Sequence, residues 1–349
     1  MHPLPKAILF LITITTNAFI PSKTTILTTP PHHPKNPTNH PLKTQLWEAP
    51  IKFAGTGTRQ VDMNQYNLKD IDEIQNQWIA NVVEKNIDSE GGIFLGTKND
   101  KELFVDVITV SLPRSIEGGS LGIGLQEIAG GREDGIGITI VSELVKGGIA
   151  QSSNCDILPG DSISRISVIR RRRQIEDSSS QGGGLVDSQE TITAKTECLD
   201  YDGTVDAILS LPPAQSDDEE YMIKLKRIRR KPVIKVNLKF PPEEKREDET
   251  IELYAGENLR LGMLVRGVKI NDPLAKRFDT KSGGNCGAAG LCRTCAVSVI
   301  RGSELLNPQK VAEEQMLQNE PRWRLGCKAF VGYGMREGEL SIQVNPRQW

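Results

Sequence analysis

The stretch "NCGAAGLCRTCAVSV", Asn285 to Val299, places Cys286, Cys292 and Cys295 within ten residues, among glycines and alanines and directly ahead of a β-branched run. A fourth thiol, Cys327, is separated from Cys295 by thirty-one residues, so the pattern is C-x5-C-x2-C and a distant single Cys. Four thiolates hold either a structural zinc or an iron–sulfur cluster. Zinc sites usually pair two short knuckles, whereas three ligands on one loop and a lone fourth suit a two-iron rhomb. Gly283, Gly284, Gly287, Ala288, Ala289 and Gly290 leave room for backbone N–H groups to approach bridging sulfides, and such hydrogen bonds help set the potential. Pairing of these cysteines in disulfides is the other reading, and it gains weight only in an oxidising compartment.

Working outward, residues 232–349 read as "PVIKVNLKF" and "ETIELYA" strands about a charged turn, then the helix "ENLRLGMLVRGV" with Leu259, Leu261, Leu264 and Val265 on one side. The cysteine loop, a strand at "AVSVIRG", the segment "RWRLGCKAFVG" and a closing strand "GELSIQV" follow. Strand, strand, helix, loop, strands is the order of a β-grasp. This unit resembles the 2Fe–2S ferredoxins over essentially its whole length, with the one-residue-longer first gap and "RLGC" of the adrenodoxin-type group. Its ending, "PRWRLGCKAFVG…IQVNPRQW", is similar to the ferredoxin-like subunit of the chloroplast NADH-dehydrogenase-like complex. The resemblance implies a 2Fe–2S cluster on Cys286, Cys292, Cys295 and Cys327, with a potential near about −400 mV if the centre is plant-type.

The chain's other end is compositionally distinct. Residues 1–47 contain no Asp or Glu, four lysines, and all four histidines (His2, His32, His33 and His40). "AILFLITITT" has the length of a signal-peptide core, and the Thr-, Pro- and Lys-rich stretch behind it reads as transit-like. That pairing resembles the bipartite plastid leader of algae with secondary plastids, with Phe19 just past the apolar run; a plain secretory signal is the alternative. Removing such a leader removes every imidazole, which excludes Ser-His-Asp and Cys-His catalysis, His-ligated zinc and Rieske ligation. No other run is apolar and long enough to span a bilayer, so membrane contact is expected to be peripheral at most.

Between the ends, residues 48–102 read as a helical region. Leu68, Ile71, Ile74, Trp78, Ile79 and Val82 form the apolar face of a helix over 66–86. Residues 103–231 then show "SLGIGLQEI", "GIGITIVSELVKGGIAQSS", "ILPGDSISRISVI", "DGTVDAILSL" and "EYMIKLKRI". A glycine turn into a strand, a Gly-Gly turn into a short helix, a Pro-Gly-Asp turn, a ten-residue helix and a last strand resemble a PDZ domain. The overall expectation is therefore an α+β chain, PDZ-like and then β-grasp. The PDZ likeness implies capture of a C-terminal or extended peptide by β-augmentation. Its carboxylate loop would be Ser120, Leu121, Gly122 and Ile123, and the groove would run along the helix containing Thr204. A groove closed by intramolecular packing is the other reading. The insertion 170–197, headed by four arginines (Arg170–Arg173), is expected to be disordered and solvated. Cys155 and Cys198 read as two buried free thiols, with a disulfide between them as the other reading.

No nucleotide fingerprint is present: the glycine pairs in "LGIGLQ" and "GGREDGIG" lack a βαβ setting. The expected function is one-electron transfer by a plastid 2Fe–2S protein, tethered through the PDZ-like part to a protein redox partner or thylakoid-associated complex. The alternative is an assembly factor or accessory subunit whose cluster is structural or redox-sensing. Neither reading needs nucleic acid or enzymatic chemistry. Arg260, Arg266, Lys269, Lys276, Arg277, Lys281 and Arg293 make the surroundings of the cysteine loop basic, unlike the acidic docking face of photosynthetic ferredoxins.

Overall fold

A computed structural model of the chain describes residues 62–84, 92–116, 119–130, 133–175, 185–272, 274–275 and 285–349, with backbone alone for 171–175 and 185–188. The proposed leader lies outside the described residues, as do Lys276, Arg277, Lys281, Gly283 and Gly284. Two units emerge: Leu68–Asp100 with Val105–Ile228, and residues 62–67 with Lys101–Phe104 and Arg229–Trp349. No helix among the described residues is long and apolar enough to cross a membrane.

The first unit opens on a short helix α1 (Ile71–Gln77), capped by the Asp70 side chain on the Asp72 N–H. The helix expected over 66–86 stops there. From Trp78 the chain is strand β1 (Trp78–Val83), paired antiparallel with β2 (Gly92–Thr97). The residues Trp78, Ile79, Val82 and Val83 are aromatic or β-branched, types that favour a pleated strand over a helix. Trp78 is buried and its indole N–H donates to the Gly160 carbonyl at 3.1 Å, whereas Val82 lies outside the core.

Strand β3 (Leu103–Arg114) is followed by the antiparallel pair β4 (Ile123–Ala129) and β5 (Ile138–Leu144), and then by the one-turn helix α2 (Ile149–Ser152). Strands β6 (Ser162–Ile175) and β7 (Leu185–Lys195), helix α3 (Tyr201–Leu209) and β8 (Glu219–Arg230) complete the unit, with sheet order β3-β8-β6-β7. Along β8 the inward side chains Glu219, Tyr221, Ile223, Leu225 and Arg227 alternate with more exposed ones, the period-two signature of a sheet with one packed face.

Of the insertion 170–197 expected to be disordered, residues 170–175 and 185–195 are strand, and 176–184 lie outside the described residues. β6 and β7 pair in continuous antiparallel register from Arg165↔Lys195 to Ile175↔Leu185. The ladder satisfies the backbone groups of a stretch whose polarity alone had pointed to a loop. Arg170, expected on a solvated flank, is buried. Its guanidinium meets Glu219 at 2.9 Å, and Glu219 also takes Arg114 at 2.8 Å. These contacts, with Arg170 donating to the Pro213 carbonyl, pin the connection between α3 and β8.

The second unit is built from β9 (Val233–Lys239), β10 (Glu249–Tyr254), helix α4 (Leu259–Val265), β11 (Ala296–Arg301), helix α5 (Val311–Met316), β12 (Trp323–Leu325) and β13 (Gly338–Val344). Their order in the sheet is β10-β9-β13-β11-β12, with β9 and β13 parallel and the other neighbours antiparallel. First and last strands side by side at the centre, crossed by one helix, is β-grasp topology, so the ferredoxin-like fold holds. Helix α4 turns the other way from expectation. Leu259, Gly262 and Met263 face the core, while Leu261, Leu264 and Val265 are exposed. Gly262 decides this, because a Cβ there would lie 2.6 Å from the Leu253 side chain.

Candidate iron–sulfur site

The cysteines sit on a tight loop, one short turn and the end of β12. Gly287, Ala288, Gly290 and Arg293 all have positive φ, so the loop between Cys286 and Cys295 repeatedly turns its backbone through the left-handed region that small residues tolerate best. Cys286 is half-buried on the exposed side of this loop, while Cys292, Cys295 and Cys327 are buried. None is in a disulfide.

The thiols meet as two pairs. Cys286 neighbours Cys292 and Cys295 neighbours Cys327, near enough for each neighbour to act on the other's charge state, and the charge on Cys286 acts on both members of the second pair. Among the described residues no group of three or more His, Cys, Asp or Glu side chains gathers closely enough to hold a metal ion. Two pairs within electrostatic reach of each other match a dinuclear centre, in which each iron takes two thiolates.

The local electrostatics favour the thiolate at Cys286 and Cys295. Burial pushes the Cys286 thiol up, but hydrogen bonds from the Leu291, Cys292 and Gly290 backbone and from the Cys292 side chain outweigh it and bring the group down to about 7. The Leu291 N–H lies 3.4 Å from Cys286 Sγ. Cys295 is lowered to about 7 by the Cys327 thiol, helped by the Cys327 backbone and the Arg260 guanidinium. Cys327 is correspondingly raised, first by the neighbouring Cys295 thiol and then by burial. Cys292 Sγ lies 2.9 Å from Thr294 Oγ1. The Gly326 N–H donates to the Cys295 carbonyl at 2.8 Å, fixing the last cysteine segment against the first.

Residues 273–332 match the family model described as the 2Fe-2S iron-sulfur cluster binding domain. The cofactor is a 2Fe–2S cluster. A stretch of 95 residues, 27% of this chain, is 36% identical to the photosynthetic NDH subunit of subcomplex B 3, chloroplastic, of Arabidopsis thaliana. The chain spans 44% of that relative's length, less than half of it. Among solved structures, the ISC-like 2Fe-2S ferredoxin of Pseudomonas putida matches with 27% identity over 32% of this chain and 91% of that one, at a TM-score of 0.24.

The other residues singled out from the sequence lie in the first unit. The carbonyls of Ser120, Leu121 and Gly122 accept from the N–H groups of Ile149, Ala150 and Val145, and the Ser120 hydroxyl accepts from the Gly122 N–H. Gly122 has φ +67°, and its Cα passes so near Gly148 that a Cβ on either would come within 2.5 Å of the other's Cα. The turn is thus a backbone crossing that only two glycines permit. Thr204 sits in α3, buried, with its hydroxyl lacking a hydrogen-bond partner among the described residues. α3 packs against β4 and β5, and the Glu127 carboxylate on β4 accepts from the Tyr201 N–H at the start of α3. Cys155 and Cys198 are free thiols, and burial pushes Cys198 up to about 11.

Sequence reading missed Asp272, Thr294 and Arg347, which bear directly on the cysteine loop. Their only signal was indirect: Asp272 stands just ahead of a basic stretch, and Arg347 belongs to the "NPRQW" ending.

Proposed function

We propose that Cys286, Cys292, Cys295 and Cys327 bind the 2Fe–2S cluster and that the protein is a one-electron carrier or accessory subunit of a plastid NDH-type complex, not an enzyme. The observation that carries the reading is the pairing of the four thiols inside a matched cluster-binding domain. Likeness to a chloroplast photosynthetic NDH subunit supports the complex and the plastid. When bound, the cluster supplies one-electron transfer. This chain's residues hold its sulfur ligands: Leu291 N–H and Thr294 Oγ1 reach Cys286 and Cys292, and Arg260 favours the anionic form of Cys295. Electron transfer is favoured over a purely structural role because Cys286, Gly287, Ala288, Ala289 and Leu291 lie at or near the surface, within reach of a partner. Arg260, whose charge reaches Cys295, makes that side attractive to an acidic partner.

The expected variants separate this from zinc binding. Cys295→Ser and Cys327→Ser lose the visible chromophore, whereas Cys155→Ser and Cys198→Ser keep it; full cluster content in Cys295→Ser contradicts the ligand assignment.

The element order of residues 103–231, with its Gly122 turn, the β4–β5 hairpin and α3 against β4, supports a PDZ-like domain. On that reading Ser120, Leu121, Gly122 and Ile123 receive a terminal carboxylate, and the groove beside Thr204 takes the peptide. Peptides selected on the protein are expected to lose binding when their C-terminus is amidated; equal binding of acid and amide forms contradicts the groove. Residues 1–47 are proposed as the targeting leader. A fluorescent fusion of residues 1–50 is expected in plastids, and secretion of the fusion contradicts it.

A further inference from the structure

The turn Cys292–Cys295 carries two of the four proposed ligands, and Arg293 within it holds a left-handed φ of +58°. Such a conformation at a side-chain-bearing residue persists only where the surroundings enforce it. The enforcement comes from two residues distant in sequence. Asp272 donates its N–H to the Thr294 carbonyl at 2.9 Å. Arg347 Nη1 donates to Asp272 Oδ2 at 2.8 Å and to the Arg293 carbonyl at 3.3 Å. Both carbonyls of the turn's two central residues are therefore held. The Asp272 side chain is 0% exposed, so this ion pair is largely shielded from solvent.

The guanidinium is itself aimed. It lies 4.9 Å over the ring of Trp323, which β12 fixes opposite Ser298 on β11. On the other side the Trp349 indole N–H donates to the Val344 carbonyl, folding Asn345–Trp349 back toward the sheet. The two unusual sequence endings, "RWRLGC" and "NPRQW", thus meet at one point, and that point touches the cysteine turn.

We propose that Arg347 is a positioning residue for the cluster: through Asp272 and the Arg293 carbonyl it holds the turn that sets Cys292 and Cys295 in place. The proposal rests on the reading that these cysteines bind the cluster. Arg347 touches no thiol, and its effect travels only through the turn.

The test uses Arg347→Gln, Arg347→Lys, Asp272→Asn and the double Asp272→Asn/Arg347→Gln variant of the full protein, with iron content, EPR g-values and the rate of bleaching by a chelator as readouts. Arg347→Gln and Asp272→Asn are expected to load iron, shift the g-values and bleach about 10-fold faster, the usual scale for outer-shell partners of metal ligands. Arg347→Lys keeps the charge and is expected to restore most of the wild-type rate. The double variant leaves no unpaired buried charge and is expected to be no worse than the worse single change, because both act on one turn. Unchanged g-values and bleaching in the iron-loaded Gln, Asn and double variants overturn the proposal, even if their thermal unfolding shifts, and leave the ligand reading standing. Wild-type protein without iron removes the ligand reading and the proposal together.

Discussion

At the residue scale, the chemistry of the site is set by hydrogen bonds to sulfur. Cys286 is depressed to about 7 from an ordinary thiol value near about 8.5. Its thiolate therefore persists above pH about 7 and is lost only as pH falls through that value. In metal-free protein, alkylation of Cys286 is expected to reach half its plateau rate near pH 7, while Cys198, raised to about 11, stays unreactive through pH 9. A midpoint for Cys286 near 8.5 or above contradicts the hydrogen-bonding account. Gly122 is equally specific. Ala at φ +67° costs about 1–3 kcal/mol from backbone strain alone, and its Cβ meets the Gly148 backbone as well. Gly122→Ala is expected to lower the melting temperature of the first unit by several degrees. A variant as stable as wild type contradicts the crossing. It follows that substitutions at Gly122 probe folding before they probe any peptide groove.

Helices and strands show where sequence patterns were decisive and where they were not. The β-grasp order was legible because its strands alternate cleanly, as in β9, where Ile234, Val236 and Leu238 are buried between exposed or half-exposed neighbours. The cysteine spacing was legible because ligand geometry ties residue type to position. Helix α4 was misread because apolar residues occur on all its sides, so period alone could not choose a face; the close approach of Gly262 to Leu253 does. Met263→Ala is accordingly expected to cost about 2–5 kcal/mol, and Leu264→Gln to stay within about 0.5 kcal/mol, as read by chemical denaturation. Equal costs contradict the assigned face. The β6–β7 hairpin was hidden because its polar composition resembles a loop, and only cross-strand register shows that the backbone is paired. Amides of Ile166, Val168 and Ile192 are expected to exchange with solvent far more slowly than those of an unstructured segment. Exchange at the unstructured rate contradicts the pairing. The Asp272–Arg347 contact was not legible at all, since it joins residues 75 apart whose proximity depends on the sheet closing.

For the whole molecule, a β-grasp unit matched to a 2Fe–2S domain shares a chain with a β-rich unit containing two free thiols. The division of labour proposed is that the C-terminal unit moves one electron and the first unit, with its glycine turn and hairpin edge, recruits a partner. On the proposed NDH-type reading, antibody against this protein is expected to co-precipitate subunits of an NDH-type complex from detergent-solubilised plastid membranes. A chain recovered without them contradicts the tethered reading while leaving the cluster intact. The most direct test of the central claim is iron and acid-labile sulfide analysis of anaerobically purified protein, followed by a redox titration monitored by EPR. The account predicts two irons and two sulfides per chain and a rhombic signal that appears reversibly on one-electron reduction, as cysteine-ligated 2Fe–2S centres give; one bound zinc per chain, without colour or signal, would contradict it.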